Sequence, residues 1–402
     1  MKFPQVGPAF LVTAAFIGPG TVVTASLAGA NYGFTLLWAL LFSVIATLIL
    51  QEMTARLGIV TQQGLGENLI SILTQPMIRA LSIALVVSAI VIGNAAYEGG
   101  NIAGASLGLD ALIGQPFDSF SIWPIIIATL AFILLITGSY RIIEKSLIAL
   151  VFLMSLAFIL TFFITSPNLT AIFSGLLTPS IPSGAALTVI ALIGTTVVPY
   201  NLFLHASSVA QKWHHIEDLP AARKDLYISI PLGGLISLAI VSTAATAFFG
   251  SQIEIHSASD IAPALEPVFG KYAEILMAVG LFSAGISSAI TAPLAAAYAL
   301  NGILNKGWKL DDLGFKIIWF SILILGTIPA TLGLKPVSII WFAQVANGLL
   351  LPLLTVFLLW VMNSKRLGQY KNSNWQNTLG VSVLLVTLML SLRSLMSAFG
   401  LL

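Results

Sequence analysis

Apolar stretches of about twenty residues or more, separated by shorter polar or Gly- and Pro-containing connections, recur along nearly the whole chain. That length, wound as a helix, matches the hydrocarbon thickness of a bilayer. The stretches fall at about 8–31, 34–57, 77–108, 121–139, 146–166, 185–212, 226–250, 270–304, 314–333, 336–362 and 377–400, predicting eleven transmembrane helices. The third and eighth are longer than a bilayer requires, which predicts tilt or protrusion. Between 185 and 250, re-entrant segments are the alternative to full spans. Two stretches are interrupted at mid-length, by Gly18-Pro19-Gly20-Thr21 and by Val198-Pro199-Tyr200-Asn201. A break at bilayer depth frees backbone groups that hydrocarbon cannot satisfy, so it must face protein, water or a solute. Breaks at matching places in two halves of a chain point to a transporter with its substrate site near the midplane.

Composition agrees with this pattern. Of 402 residues, 58% are hydrophobic and 8% charged, and the mean hydropathy is +1.00, which predicts an integral membrane protein. With no cysteine, disulfides and thiolate metal sites are excluded. A formal charge of +2 with scattered basic residues argues against a nucleic-acid partner. No catalytic triad, nucleotide-binding loop or zinc motif stands out, so neither an enzyme nor an ATP-driven pump is expected, and no cofactor. The N-terminal segment lacks a cleavage site after a short apolar core, so no cleaved signal peptide is expected. With the N-terminus placed in the cytoplasm, all but Lys271, Lys335 and Arg393 of the seventeen lysines and arginines fall inside, which predicts a cytoplasmic N-terminus and an outside C-terminus. A multi-pass protein of a bacterial inner or plasma membrane is expected.

Breaks in the first and sixth spans divide the chain into five plus five helices plus one. An odd repeat unit inverts its successor, giving an inverted-repeat architecture. The expected layout is one transmembrane domain over 1–402, with repeats at about 8–166 and 185–362 and an extra helix at about 377–400.

Three segments carry the motifs of one known family. Gly7-Pro8-Ala9-Phe10 through Gly18-Pro19-Gly20-Thr21 to Ala28-Gly29-Ala30 is similar to the family's first helix around its Asp-Pro-Gly-Asn motif. Ala55-Arg56-Leu57-Gly58-Ile59-Val60-Thr61, with Glu67 beyond it, resembles the end of the second helix. Val198-Pro199-Tyr200-Asn201-Leu202-Phe203-Leu204-His205 resembles Met-Pro-His-Asn-Leu-Tyr-Leu-His. Together these segments resemble the Nramp family (natural resistance-associated macrophage proteins) of divalent-metal transporters. The resemblance covers most of the chain and implies an all-α, LeuT-type five-plus-five fold with broken first and sixth helices. It also exposes departures. Gly18 stands where the family has a metal-binding aspartate, Thr21 where it has asparagine, Val198 where it has a methionine ligand and Tyr200 where it has histidine. Loss of the carboxylate and the thioether removes the donors that hold a partly dehydrated, softer transition metal.

The candidate substrate-binding residues are Gly18, Gly20, Thr21, Val198, Tyr200, Asn201, Gln344 and Asn347. Gly18 and Gly20 permit close backbone approach, and Thr21 is expected to N-cap the resumed helix, its hydroxyl satisfying one amide while the other free amides favour an anion. A Gly-Pro kink that serves packing alone is the alternative. Tyr200 and Asn201 offer a phenol and an amide, although Asn201 equally fits a structural turn role. Gln344 and Asn347 interrupt the tenth span, and the first matches a family glutamine. Candidates for proton or ion coupling are Glu98, Asn101, His205 and Lys212. Glu98 reads as the only carboxylate deep within a span, exchanging protons, binding a coupling cation or pairing with Lys212 or Lys316. The resemblance places Glu98 at a family aspartate and Asn101 at a family glutamate. It places His205 at a second histidine, and Lys212 and Lys316 near arginines of an inner-side polar network. His205 is a proton carrier or a neutral histidine bonded to a carbonyl. Ser287, Ser288 and Thr291 resemble a family stretch in which Ile286 replaces a glutamine. His214 and His215, beside Glu217 and Asp218, read as a solvated turn rather than a metal cluster. The metal ligands, if any, are open.

Two functions follow. One is a secondary transporter moving a cation, divalent by family resemblance, with altered selectivity and proton coupling. The other is a proton- or sodium-coupled transporter of a small anion, such as bicarbonate or a carboxylate, or of a polar solute. A transport-inactive sensor on the same scaffold is a third class.

Overall fold

A computed structural model describes residues 7–9, 13, 17–73, 75–114, 121–137, 141–251 and 255–399, with side chains from 148 onward in the helix that begins at Arg141. Parts of the predicted spans at 10–12, 14–16, 138–139 and 400, together with Lys2 and Phe10, lie outside the described residues.

The regular elements are helices: α1 Pro19–Tyr32, α2 Leu37–Thr61, α3 Leu65–Ile72, α4 Pro76–Ile113, α5 Trp123–Thr137, α6 Arg141–Thr165 and α7 Leu169–Leu177. They continue as α8 Ala186–Thr196, α9 Pro199–Lys212, α10 Leu219–Phe248, α11 Ala273–Leu304, α12 Leu313–Thr331, α13 Pro336–Met362 and α14 Asn374–Ala398. Short helical turns fill 258–272 ahead of α11. Among the described residues nine helices are long and apolar enough to cross a membrane, with Ala186–Lys212 taken as one, and α5 is a shorter apolar helix. Helix α1 is the second half of the first predicted span. Two helices were not expected, α3 and α7, because eight and nine residues are too few to register in a window of bilayer length.

Local chemistry sets the ends. Pro19, Pro76, Pro199 and Pro336 open their helices, where the missing N–H costs nothing and the ring presets φ. Ser373 caps α14 by accepting from the Gln376 amide, and Gln376 answers through its side chain. Gln62 and Asn305 close α2 and α11 in the left-handed region.

Packing follows a reciprocal scheme. Helix α1 lies against α10, while α8 and α9 lie against α2. Helix α4 makes its broadest contact with α11 and also packs on α12 and α13. Helix α14 lies against α13 and α8, where the Ser394 hydroxyl donates to the Ala186 carbonyl at 3.0 Å. Gly194 of α8 abuts the backbone of Gln344, and Gly348 of α13 abuts that of Ile190, so a Cβ at either position would strike main chain. Small residues at such crossings let backbones approach, which is how helices associate where no hydrophobic force drives them together.

Candidate functional site

The first break is a bend at Ile17 and Gly18. The Ile17 amide donates to the Thr13 carbonyl at 3.2 Å, Gly18 is extended (φ −108°, ψ −173°), and its carbonyl accepts from Thr21 and Val22, so Gly18 rather than the expected Thr21 caps α1. The second break is shorter. Helix α8 ends as the Val197 amide donates to Ile193, Val198 is extended (φ −78°, ψ 121°), and α9 starts at Pro199. In an unbroken helix the Thr195 carbonyl would accept from residue 199, but proline has no N–H. The Asn201 amide bonds to Val198 at 3.0 Å instead of reaching back to Val197. The carbonyl end of α8 therefore opens onto the break, carrying the negative end of its helix dipole.

The two breaks meet. Thr21 Oγ1 and Thr195 Oγ1 are 2.7 Å apart, joining α1 to α8 across 174 positions of sequence. Gly20 leaves room for the Gln344 side chain, whose amide would overlap a Cβ there. Thr21, Val198, Tyr200, Asn201, Gln344 and Asn347 are each at most 2% exposed. Among the buried atoms without a hydrogen-bond partner are both amide atoms of Asn201, Gln344 Oε1 and Asn347 Nδ2. Buried polar atoms are ordinarily paired, so Asn201 at the second break and Gln344 against Gly20 mark a lining suited to a polar guest. Thr195 is a residue the sequence reading missed. An isolated threonine in an apolar helix carries no local signal, since its hydroxyl ordinarily returns to a carbonyl one turn back, as that of Thr196 does to Leu192.

The rings of Tyr97 and Tyr200 stack edge to face at 5.3 Å between centroids. Glu98, the neighbour of Tyr97, is fully buried. Its Oε2 accepts from Asn101 Nδ2 at 3.2 Å, while Oε1 has no partner. Gly326 of α12 makes room for its stem. The predicted pair Glu98 and Asn101 is thus together, beside the second break. Neither lysine accompanies them. Lys316 pairs with Asp311 at 3.7 Å, and Lys212 lies over the Trp213 ring at 5.1 Å and near Asp225. His205 is 1% exposed, shares a 3.0 Å hydrogen bond with Thr54 on α2 and bonds as well to the backbone of Gln51 one turn earlier, the carbonyl partner offered as the alternative.

Glu98 is not the only buried carboxylate in a spanning helix. Glu52 of α2 is 8% exposed and is held by Arg56 at 3.0 Å and Arg223 at 2.7 Å. Arg56 also donates to the Tyr370 carbonyl and to Asn372, tying α2, α10 and the segment before α14 together. On α10, the Asp225 carboxylate accepts from the Ala9 amide at 2.9 Å. Outside the spans, burial against Gly302 pushes the Glu67 carboxyl above its ordinary range, opposed by backbone amides at Glu67 and Gly64. The His214–Asp218 turn is closed by the His215 amide donating to Asp218. No group of three or more His, Asp or Glu suited to a metal occurs among the described residues.

A cavity of about 290 Å³, lined among others by Thr13, Ile17, Ser155, Ile236, Ser287 and Ser288, adjoins the first break between α6, α10 and α11.

Two interrupted helices joined at a buried polar centre define a membrane transport scaffold. The match to the family described as natural resistance-associated macrophage protein-like runs over residues 9–397, and the chain belongs to the Nramp family. It is 28% identical to the divalent metal cation transporter MntH of Pectobacterium carotovorum, an alignment covering 98% of this chain and 93% of the relative. With MntH of Bacillus subtilis the identity is 27%, covering 96% and 90%. Among solved structures, the Eremococcus coleocola manganese transporter in complex with an aromatic bis-isothiourea compound superposes with a TM-score of 0.79 at 21% identity, covering 98% of this chain and 86% of that one. The inward-facing conformation of Mhp1 gives 0.59 at 14% identity, covering 98% and 91%. The fold is the LeuT type, and the chain is a multi-pass integral membrane transporter rather than an enzyme.

Proposed function

We propose that the chain is a secondary active transporter that moves a divalent metal cation by alternating access, with selectivity altered from that of its relatives and with protons as the coupling ion. The observation that carries this reading is the oxygen-rich, uncharged meeting of the two breaks. The hydroxyls of Thr21 and Thr195 meet there, Gln344 lies against Gly20, the carbonyl end of α8 opens onto it, and Asn201 begins the helix that follows. Neutral hard oxygens suit a cation that keeps much of its water, and without carboxylate or thioether they favour magnesium-like ions over softer metals. Glu98 and Asn101 take the coupling role, and His205 is a second proton carrier. The N-terminal end of the bundle, with Asp225, Lys212 and Arg223, is the cytoplasmic side, and the C-terminus lies outside.

A second reading has its own support. Asn201 Nδ2 and Asn347 Nδ2 are donors without partners, and the start of α1 carries a positive helix end. These would suit a small anion such as bicarbonate or a carboxylate, or a polar solute, coupled to protons or sodium. Purified protein in liposomes separates the two: uptake of magnesium, manganese, bicarbonate and acetate is compared with and without a proton or sodium gradient. Saturable, proton-stimulated divalent-cation uptake is expected. Anion uptake with no saturable divalent flux would replace the first reading with the second.

A further inference from the structure

We propose that Thr195 is a substrate-contacting residue, and that its hydroxyl bond to Thr21 is a latch that opens as substrate enters. This deepens, and rests on, the cation-transport reading. The latch is the described side-chain bond that crosses directly from one broken helix to the other at their interruptions. Both hydroxyls are at most 2% exposed, and unpartnered Asn201 and Gln344 atoms lie in the same lining. While the pair is made, one hydroxyl hydrogen is spent on the neighbouring hydroxyl. When the helices part, the accepting oxygen regains a lone pair for a hydrated cation's water hydrogens, and the donating hydroxyl is released from its partner. A contact made in one arrangement and exchanged for substrate in the other gives the cargo a differential hold on the two states, which is what a ligand needs to drive a conformational change.

The absence of native cysteine makes the test direct. In Thr21→Cys/Thr195→Cys, oxidation should cross-link α1 to α8 and reduce uptake to about a tenth or less of the reduced protein's rate, the factor that about 1.4 kcal/mol of added restraint produces. A reductant should restore it, and each single variant should ignore the oxidant. Thr195→Val should raise the KM for the transported cation about fivefold, the net worth of one hydrogen bond, while Thr195→Ser stays within about twofold of wild type. Failure to cross-link, undiminished uptake by the cross-linked protein, or an unchanged KM in Thr195→Val would overturn the proposal. A cargo-independent readout keeps it separate from the transport reading. In nanodiscs, Thr195→Val should speed amide hydrogen exchange around 18–23 and 195–201, and unchanged exchange overturns the latch whatever the cargo. Wild-type protein without divalent flux overturns the transport reading alone.

Discussion

Glu98 occupies an unusual place for a carboxylate: fully buried, with one oxygen on Asn101, the other without a partner, and a tyrosine pair between it and the second break. If it exchanges the coupling proton, Glu98→Gln keeps the shape and the Asn101 contact while removing the exchangeable site. Proton-driven accumulation of cargo in liposomes should then fall to the equilibrium level, with exchange of internal for external cargo retained. Accumulation matching wild type would remove Glu98 from coupling. The sequence made this residue conspicuous because a carboxylate inside an apolar run needs an explanation wherever it occurs. Glu52 was less legible. Its partners are Arg56, one turn along, and Arg223, which is distant in sequence and reads there as a loop charge. Thr195 was silent for the same physical reason: its significance lies in a contact with Thr21, and long-range pairing leaves no local pattern.

The breaks themselves were legible, since proline cannot continue a helix by donating a hydrogen bond and glycine-flanked proline has few other uses at that depth. Apolar windows also located the long helices to within a few residues, although α10 begins at Leu219, ahead of the expected 226, because Lys224 and Asp225 interrupt the apolar run without interrupting the helix. What windows cannot show is how closely two helices approach. The crossing of α8 and α13 depends on Gly194 and Gly348, each facing backbone of the other helix. Gly348→Val should force the helices apart and lower unfolding stability in detergent by roughly 1–3 kcal/mol, the usual cost of overpacking. Because Gln344 lies one turn away on α13, transport should decline as well. An unchanged denaturation midpoint would show that the crossing tolerates a side chain.

At the N-terminal end of the molecule, polar ties join helices that are otherwise apolar. Glu52 gathers Arg56 and Arg223, Arg56 reaches Tyr370 and Asn372, and Asp225 holds the Ala9 amide. Removing one member of a buried ionic cluster leaves its partners uncompensated, which is more damaging than losing the whole cluster. Glu52→Gln should therefore loosen this end. In a Val209→Cys background, where the thiol replaces a fully buried side chain of α9, a membrane-impermeant maleimide applied from that side should label several times faster with Glu52→Gln than without it. Equal labelling rates would mean that apolar packing alone keeps this end shut. The uncharged meeting of the two breaks has an electrical consequence as well. A formal charge carried across the bilayer feels about 2.3 kcal/mol for every 100 mV. In the proposed alternating-access cycle the breaks themselves carry no ionised side chain across, so membrane voltage acts on the cargo and on Glu98 as it takes up and releases its proton. Replacing Gly18 with aspartate would transfer part of that voltage sensitivity from the cargo to the protein.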